Sequence, residues 1–589
     1  MTYDCPNVST ASPALAQSCT PPVSCTADTW NCTSWSTCAA NATQTRTCTL
    51  INDCPSVPNT KPTESQSCEV EPGSLSVSVT SSPVSQLYIK GAQGASLVGI
   101  SLRADIGNVT VSSIKFTGYI DAAGASGHPT TQGCDTNGAE AKSISDILSS
   151  TSLWNGSTQV GTNENPSSSP AGCSANSGGE IVFDNLDLKI AKSTTVTLVL
   201  KVNFANSAVN LPDAIAFDVK ANSDISATNV LGSVTPSGAP VVGPGQMIMS
   251  GGSLGVTLAP SDTESEAGLL VGGASNAVLG KFKWTAQYEE MKVTKATFQV
   301  TGSSGVASLS LYDGSTLVAG PASVNSANGH ADFSGVNFVI PKDGNKILTI
   351  KGIMSAVGGG GASAGTDVTV QLLPDNFEAR GTGAGSSTVL TGANVAGSGL
   401  PLAGNTKRLV KSKPTVSLVA LPTAVLSAGD QVIQRFTVAA DAAGDIALGQ
   451  VALQIAKEGA VALAKASGGD VATIKRIAGD FLPATVALAG GPTQYTLTIK
   501  LTNGETVAAG MARAYDVYLN LSGAVSSDSV SSNLLTDAAE MTGTFANVTA
   551  ANNFVWSDLS ADGHSFGTSD WASSWKVRNL PTDSQMLSK

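Results

Sequence analysis

The sequence predicts an all-β chain in which a short disulfide-clamped region precedes three tandem antiparallel β-sandwiches. Three observations carry that expectation. Eight of the ten cysteines lie in the first 68 residues. From Gly73 onward, short segments alternate apolar and polar residues at period two, as half-buried strands do. The same strand motifs then return at fixed spacings, so one unit is repeated. Composition fits this reading and narrows it. The 589 residues exceed what one core holds and imply several domains. A net charge of −12 argues against nucleic acid as a partner. With 41% hydrophobic and only 13% charged residues, the chain is too apolar for disorder. No run of about 18 apolar residues occurs, so no membrane span is expected in this segment.

The N-terminal region is itself repetitive. Cys5-Pro6 is followed 14 residues later by Cys19, and Cys54-Pro55 is followed 14 residues later by Cys68. Both second cysteines close a Gln-Ser-Cys string. Residues 1–24 therefore read as a truncated copy of a module completed in residues 25–72. Cysteines this dense in a Ser/Thr/Pro-rich stretch imply a disulfide framework and an oxidising, extracellular location. Met1–Cys5 lacks the basic and apolar regions of an export signal. The chain is thus expected to be a section of a longer exported protein.

The complete copy reads Trp30-Asn31-Cys32-Thr33-Ser34-Trp35-Ser36-Thr37-Cys38, then Gln44-Thr45-Arg46-Thr47-Cys48, Cys54 and Cys68. It resembles the thrombospondin type-1 repeat. That resemblance implies a thin three-stranded module with almost no core, in which Trp faces and Arg planes stack and disulfides clamp the ends. It implies a cation–π stack of Arg46 between Trp30 and Trp35, and a Cys38–Cys68 bridge. The remaining pairings stay open, since six cysteines allow 15 connectivities. Members of the family often bind sulfated glycans or surface proteins through the Arg-bearing face, which makes Trp30, Trp35 and Arg46 candidate binding residues. Residues 1–72 hold two basic side chains, Arg46 and Lys61, against six acidic ones. That balance disfavours a heparin-like site and favours a spacer.

Sandwich one is expected over residues 73–250, sandwich two over 251–412 and sandwich three over 413–550. Gly73-Ser74-Leu75 returns as Gly252-Ser253-Leu254. Ile100, Leu102 and Ala104 return as Phe282, Trp284 and Ala286, and again as Phe436, Val438 and Ala440. Ser152-Leu-Trp154 matches Ser310-Leu-Tyr312, and Phe183, Ile190 and Lys201 match Phe333, Ile340 and Lys351. Pro240 and Gly243 match Pro401 and Gly404. Asn155-Gly156, Asp313-Gly314, Asp343-Gly344 and Asn503-Gly504 read as hairpin turns. The Ala-rich run from Val451 to Ala478 is the one stretch where a helix competes. Copy one carries about 21 extra residues, which include His128 and Cys134, and its second loop holds Cys173. A Cys134–Cys173 disulfide is expected to staple these loops, adding about 2–4 kcal/mol. A zinc site there would lack ligands, His128 being the only further one.

Residues 551–589 are Trp-rich: Trp556, Trp571 and Trp575 are three of the chain's seven. This tail resembles those of large surface proteins of uncultured, ultra-small bacteria, which combine it with such sandwiches and thrombospondin-type modules. The resemblance assigns no activity. The tail is expected to be the last strand and lid of sandwich three, with a docking peptide as the alternative.

No catalytic constellation is legible. His128, His330 and His564 fall in three different units, and no H-E-x-x-H, G-x-S-x-G or P-loop occurs. Glu264/Glu266 and Glu289-Glu290 read as solvated loops rather than a glycosidase pair. No cofactor is expected, although Asp441, Asp445, Asp558, Asp562 and Asp570 could offer oxygens to Ca²⁺ at turns. Sequons occur at Asn7, Asn31, Asn41, Asn108, Asn155, Asn520 and Asn547. The function expected is that of a non-enzymatic extracellular structural protein, a stalk or surface-layer-type array able to self-associate. The alternatives are an adhesin for a glycan or protein of another cell, using loops 121–180 or the Trp30/Trp35/Arg46 face, and the accessory region of a carbohydrate-active enzyme.

Overall fold

A computed structural model describes residues 26–589 apart from 56, 59, 122–126, 137–141, 169–176, 209–212, 359–360, 384–385, 387, 398, 464–470 and 549–550. The truncated copy 1–24 and Cys173 lie outside the described residues. The fold is all β, with a single four-residue α-helical turn, Ile144–Ile147, among the described residues. Two compact units divide the chain. One falls within Met1–Gln86, Gln93–Phe204 and Asp213–Met247, the other within Leu87–Ala92, Ala205–Pro212 and Ile248–Lys589.

The first unit begins with the small module. Strand Thr29–Cys32 pairs antiparallel with Cys48–Asn52, and Thr43–Thr45 pairs with Ser65–Ser67. Residues 43–52 thus run between two neighbours, but as two separate ladders rather than one three-stranded sheet. Side-chain oxygens cause the break. Ser36 Oγ accepts from Thr45 N at 2.9 Å, Thr33 Oγ1 from Thr47 N at 3.1 Å and Glu64 Oε1 from Cys48 N at 2.6 Å. Each takes an amide hydrogen that a regular ladder would give to a carbonyl. Disulfides join Cys32 to Cys48, which face each other across the first ladder, and Cys38 to Cys68, and Cys54 is disulfide-bonded as well. Cys48 and Cys54 are the only buried apolar residues described between 26 and 72.

Sandwich one follows in the same unit. One sheet takes the order Thr158–Glu164, Leu148–Asn155, Thr194–Phe204, Ala95–Ile106, Ser74–Val79. The other is built around Val109–Asp121. One edge of that strand pairs with Asp213–Asp218 and Ile225–Asn229, the other with Thr131–Gln132, Glu180–Phe183 and Leu188–Ile190.

In the second unit, sandwich two repeats this plan: Thr316–Ser323, Val306–Asp313, Asn345–Met354, Ala277–Gln287, Ser253–Leu258. Its central strand Met291–Thr301 pairs with Asp367–Leu372 and Glu378–Gly381 on one edge and His330–Ile340 on the other. Register agrees residue by residue. Lys201 stands opposite Ser152 and Lys351 opposite Ser310, and each ammonium lies 4.5 Å from a ring centroid, Trp154 or Tyr312. Such a pair adds about 0.5–1 kcal/mol at an exposed site.

Sandwich three keeps the scheme more loosely. Pro414–Leu418, Gly429–Ala440, Ala512–Ser522 and Ala472–Arg476 form one sheet, and Ile446–Glu458 is the centre of the other. The repeated inward positions are the core in all three copies: Ile100, Leu102, Ala104; Phe282, Trp284, Ala286; Phe436, Val438, Ala440. Trp284 is fully buried, stacked on Phe377 at 5.6 Å and edge-on to Phe338 at 6.3 Å.

Three sequence expectations are corrected here. The described part of Val451–Ala478 is strand, Ile446–Glu458 and Ala472–Arg476. The central strand is buried on both faces at Val451–Leu453, so its apolar run loses the alternation that would mark it as a strand. Asn503-Gly504 is no hairpin turn. It lies inside strand Gln494–Val507, where the register shifts between Leu448 and Gln450 on the partner strand. Glu289 is buried at 4% exposure rather than solvated.

The tail is part of sandwich three. Phe554–Ser557 pairs with the central strand, Trp571–Ser573 pairs with Phe554–Ser557, and Gln585–Ser588 pairs with Ser529–Leu534.

Candidate functional site

Of the residues singled out for binding, Arg46 lies over Trp35 with its guanidinium carbon 4.4 Å from the ring centroid. Its Nε donates to Thr63 O at 3.0 Å. Trp30 stands opposite Leu50 in the first ladder, and among the described residues no such stacking joins it to Arg46. The stack is one layer deep. In copy one, Cys134 is disulfide-bonded, and the partner expected for it, Cys173, lies outside the described residues. His128 Nε2 faces Asp218 Oδ1 at 3.0 Å, and Asp218 Oδ1 also accepts from Gly243 N at 3.0 Å. The histidine thus secures the segment leaving the sandwich.

The candidate calcium ligands serve as local acceptors. Asp441 and Asp445 take the amides of Ala443 and Ala509, and Asp558 takes those of Lys411 and Ser560. Asp562 is exposed. Asp570 accepts from Ser557 Oγ at 2.9 Å and faces His564 Nδ1 at 2.8 Å. These three residue types could suggest a hydrolytic relay, but the geometry is wrong for one. Ser557 gives its hydrogen to the carboxylate, and it faces the same imidazole nitrogen that faces Asp570, at 3.5 Å. A relay needs the serine on the opposite nitrogen. Burial pushes the Asp570 carboxyl up, but hydrogen bonds from Thr568, His564 and Ser557 outweigh it and hold the group below its ordinary value. The stabilisation this gives is complete above about pH 4 and is lost as pH falls through the lowered native value. Among the described residues no group of three or more His, Cys, Asp or Glu is arranged to hold a metal.

Glu289 is a latch. Its Oε1 accepts from Gly252 N at 2.6 Å, Ser386 Oγ at 2.9 Å and Thr388 Oγ1 at 2.9 Å. It thereby ties the entry of sandwich two to the segment after Gly381. Glu289→Ala would strand these donors and is expected to cost about 2–3 kcal/mol, read as a lower urea midpoint at unchanged slope.

A concave feature lies at the junction of sandwiches two and three. Strand Lys407–Val410 of sandwich two leads into Pro414–Leu418 of sandwich three through residues 411–413 alone. Leu409 belongs to the second core and Val410 to the third. Lys411 N donates to Asp558 Oδ2 at 2.8 Å and Lys411 Nζ to Leu559 O at 2.9 Å. Arg408 pairs with Glu540 at 3.6 Å and Lys576 with Asp367 at 3.5 Å. Beside this seam is a cavity of about 450 Å³ floored by residues 269–274 and edged by Lys407, Lys413, Asp441, Glu264 and Arg578. A second, of about 320 Å³, shares Leu269, Lys413 and Arg578 with it and adds Lys576.

Lys407 Nζ is buried and donates to the carbonyls of Glu264 and Glu266 at 2.6 and 2.7 Å. Burial, with Arg578 and Lys413 nearby, pushes its ammonium down to about 8. Burial also lowers Lys413, opposed by Asp441. Sequence reasoning missed this cleft. Its one legible signal is Lys407, Arg408, Lys411 and Lys413 close together in a chain with only 13% charged residues.

Comparison with known proteins assigns no family. No family model matches the chain, and no curated protein does. Among solved structures, the C-terminal domain of the AgI/II polypeptide BspA from Streptococcus agalactiae aligns at TM-score 0.15 and 9% identity, over 48% of this chain and 95% of that one. A Corynebacterium diphtheriae protein described as membrane anchored aligns at 0.13 and 11%, over 72% and 92%. The I9–I11 tandem of titin aligns at 0.12 and 7%, over 74% and 97%. At such scores and identities none of these carries an argument about this chain. No helix among the described residues is long and apolar enough to cross a membrane.

Proposed function

We propose that the chain is a non-enzymatic extracellular structural protein of a cell surface, a load-bearing spacer within a stalk or array. The observation that carries this is the join between sandwiches two and three. Consecutive residues of one strand, Leu409 and Val410, are buried in successive cores, and ion pairs and backbone hydrogen bonds brace the join on both sides. A hinge between domains would instead carry a flexible Gly- or Ser-rich linker with few crossing contacts. Tight coupling costs mobility and gains stiffness, which a spacer needs and a catalytic domain pair that must open does not.

The cysteine-clamped module supports the extracellular setting, since its fold depends on bonds that a reducing cytosol would break. Within the first unit it is fixed to sandwich one: Lys192 pairs with Glu71, and Asn229 Nδ2 donates to Glu71 O at 3.2 Å. Its charge balance suits a spacer better than a polyanion-binding tip.

Negative-stain imaging of the purified chain tests the reading. Ordered lattices or end-to-end filaments are expected. Dispersed particles that adhere to cells would favour the adhesin instead, and hydrolysis of a polysaccharide by the chain alone would overturn the non-enzymatic assignment.

A further inference from the structure

We infer that the cleft between sandwiches two and three binds the carboxylate of an acidic sugar, a function independent of the spacer role. Four cations converge on two adjoining cavities: Lys407, Lys413, Lys576 and Arg578. Two carboxylates, Glu264 and Asp441, share the lining. Among the lining residues cations outnumber carboxylates four to two, with Asp367 and Glu266 just beyond the lining.

Two of these cations, Lys407 and Lys413, have no carboxylate at ion-pair distance among the described residues. The side chain of Lys413 has no hydrogen bond or ion pair among the described residues. That of Lys576 is 4% exposed; its Nζ has no hydrogen-bond partner but lies 3.5 Å from Asp367 and 3.8 Å from the centre of the Trp575 ring. Lys407 is held by carbonyl oxygens alone. Arg578 is half-exposed and lies 3.9 Å from Glu266. Buried cations without counter-ions are costly, and structural sites pair them. Asp213 with Lys142 and Asp516 with Arg435 show that this protein does so elsewhere. Lys407 and Lys413, which lack such a partner, point to a ligand that completes them.

The ligand's chemistry follows from the rest of the lining. A dianion would be repelled by Glu264 and Asp441, so a singly charged carboxylate fits better. Those same two carboxylates are acceptors for hydroxyl groups, while the amides of Gly272, Gly273 and Ala274 are already bonded within the fold. Glu264 is 63% exposed and anchored by Lys281 through one oxygen, while Asp441 uses Oδ1 for Ala443 N. Leu269, Leu270 and Val271 supply an apolar floor. One carboxylate, several hydroxyls and one apolar face describe a uronic acid. The cavity volumes leave room for one or two sugar rings, within the usual range for small-ligand sites.

Isothermal titration of the full chain with galacturonate, digalacturonate, galactobiose and inorganic phosphate tests this. Saturable binding of a uronate is expected, with no heat from galactobiose. Lys413→Gln and Arg578→Gln each are expected to weaken it at least about fivefold, the loss of one charge-assisted hydrogen bond. Both positions are solvent-accessible enough to tolerate the change, and an unchanged melting temperature checks that. Arg103→Gln, an exposed position of sandwich one paired with Asp105, should leave the affinity unchanged. Equal affinity for monomer and dimer identifies a free acidic sugar as the occupant, and preference for the dimer identifies a residue of an acidic polymer. No uronate binding, equal binding of galactobiose, binding of phosphate alone, or indifference to both cleft variants overturns the inference.

Discussion

A chain ending at residue 550 is expected to lose sandwich three as a folded domain, while sandwich two persists. The tail supplies structure that nothing else replaces. Phe554–Ser557 lies antiparallel along the central strand, with Phe554 opposite Val451 and Ser557 opposite Ala447. Phe554, Trp556, Val577 and Leu587 are buried in the third core. At about 1.5–3 kcal/mol for each such side chain, their removal forfeits roughly 6–12 kcal/mol. A domain's whole stability is about 5–15 kcal/mol. Buried Asp537 would also lose its partners, for it accepts from the amides of Asn553, Phe554 and Ser574 and from Ser574 Oγ. Beneath the tail, Gly449 is fitted to it: a Cβ there would meet Phe545 at 2.6 Å and Trp571 at 2.7 Å. The check is thermal unfolding followed by near-ultraviolet circular dichroism, together with limited proteolysis. The truncated chain should lose one transition and be cleaved through residues 413–550. A truncated chain that keeps all its transitions and resists protease would make the tail a mere appendage and restore the docking reading.

How much of this was legible in the sequence depended on the range over which each signal acts. Strand positions that repeat at fixed spacing were readable because inward residues must keep their register within each copy, and Lys201 and Lys351 do stand at matching positions. Where one strand is buried on both faces, as at Val451–Leu453, alternation disappears and helix competes. Asn503-Gly504 misled because the dipeptide permits a tight turn without requiring one, and here it runs on in the strand at a bulge that only the partner strand reveals. Glu289 looked solvated because its three donors come from Gly252, Ser386 and Thr388, two of them about a hundred residues away. The cleft was illegible for the same reason. Its cations belong to the strand leaving one sandwich and to the tail of the next, and each alone reads as a solvated surface charge. The small module was the most readable part, since cysteine spacing survives where core patterning is absent. Its broken ladder was not, because whether Ser36, Thr33 and Glu64 turn toward the backbone depends on neighbours brought close only by the fold.

Reduction is expected to unfold residues 26–68 while leaving the three sandwiches intact. The module has almost nothing else to hold it. Its described apolar burial is Cys48 and Cys54, its two ladders are short, and its one cation–π contact is worth about 0.5–2 kcal/mol. The Cys32–Cys48 and Cys38–Cys68 bridges close loops with separations of 16 and 30 residues. Loop-closure entropy assigns them about 3 and 3.5 kcal/mol. A domain this small has a net stability of only a few kcal/mol, so losing either bridge consumes most of it, and reduction, which also opens the bond at Cys54, leaves the module unfolded. The paired variant Cys38→Ser/Cys68→Ser isolates the longer loop without reductant. Protease digestion followed by intact mass should show a product beginning near Gly73 after reduction, and in the double variant at temperatures where the parent is resistant. The sandwich transitions should be unchanged, apart from any contribution of the bond at Cys134 when reductant is used. A module that remains protected after all of its bridges, the one at Cys54 included, are reduced would require a source of stability that its exposed side chains do not provide, and would sink the view that cross-links stand in for its core.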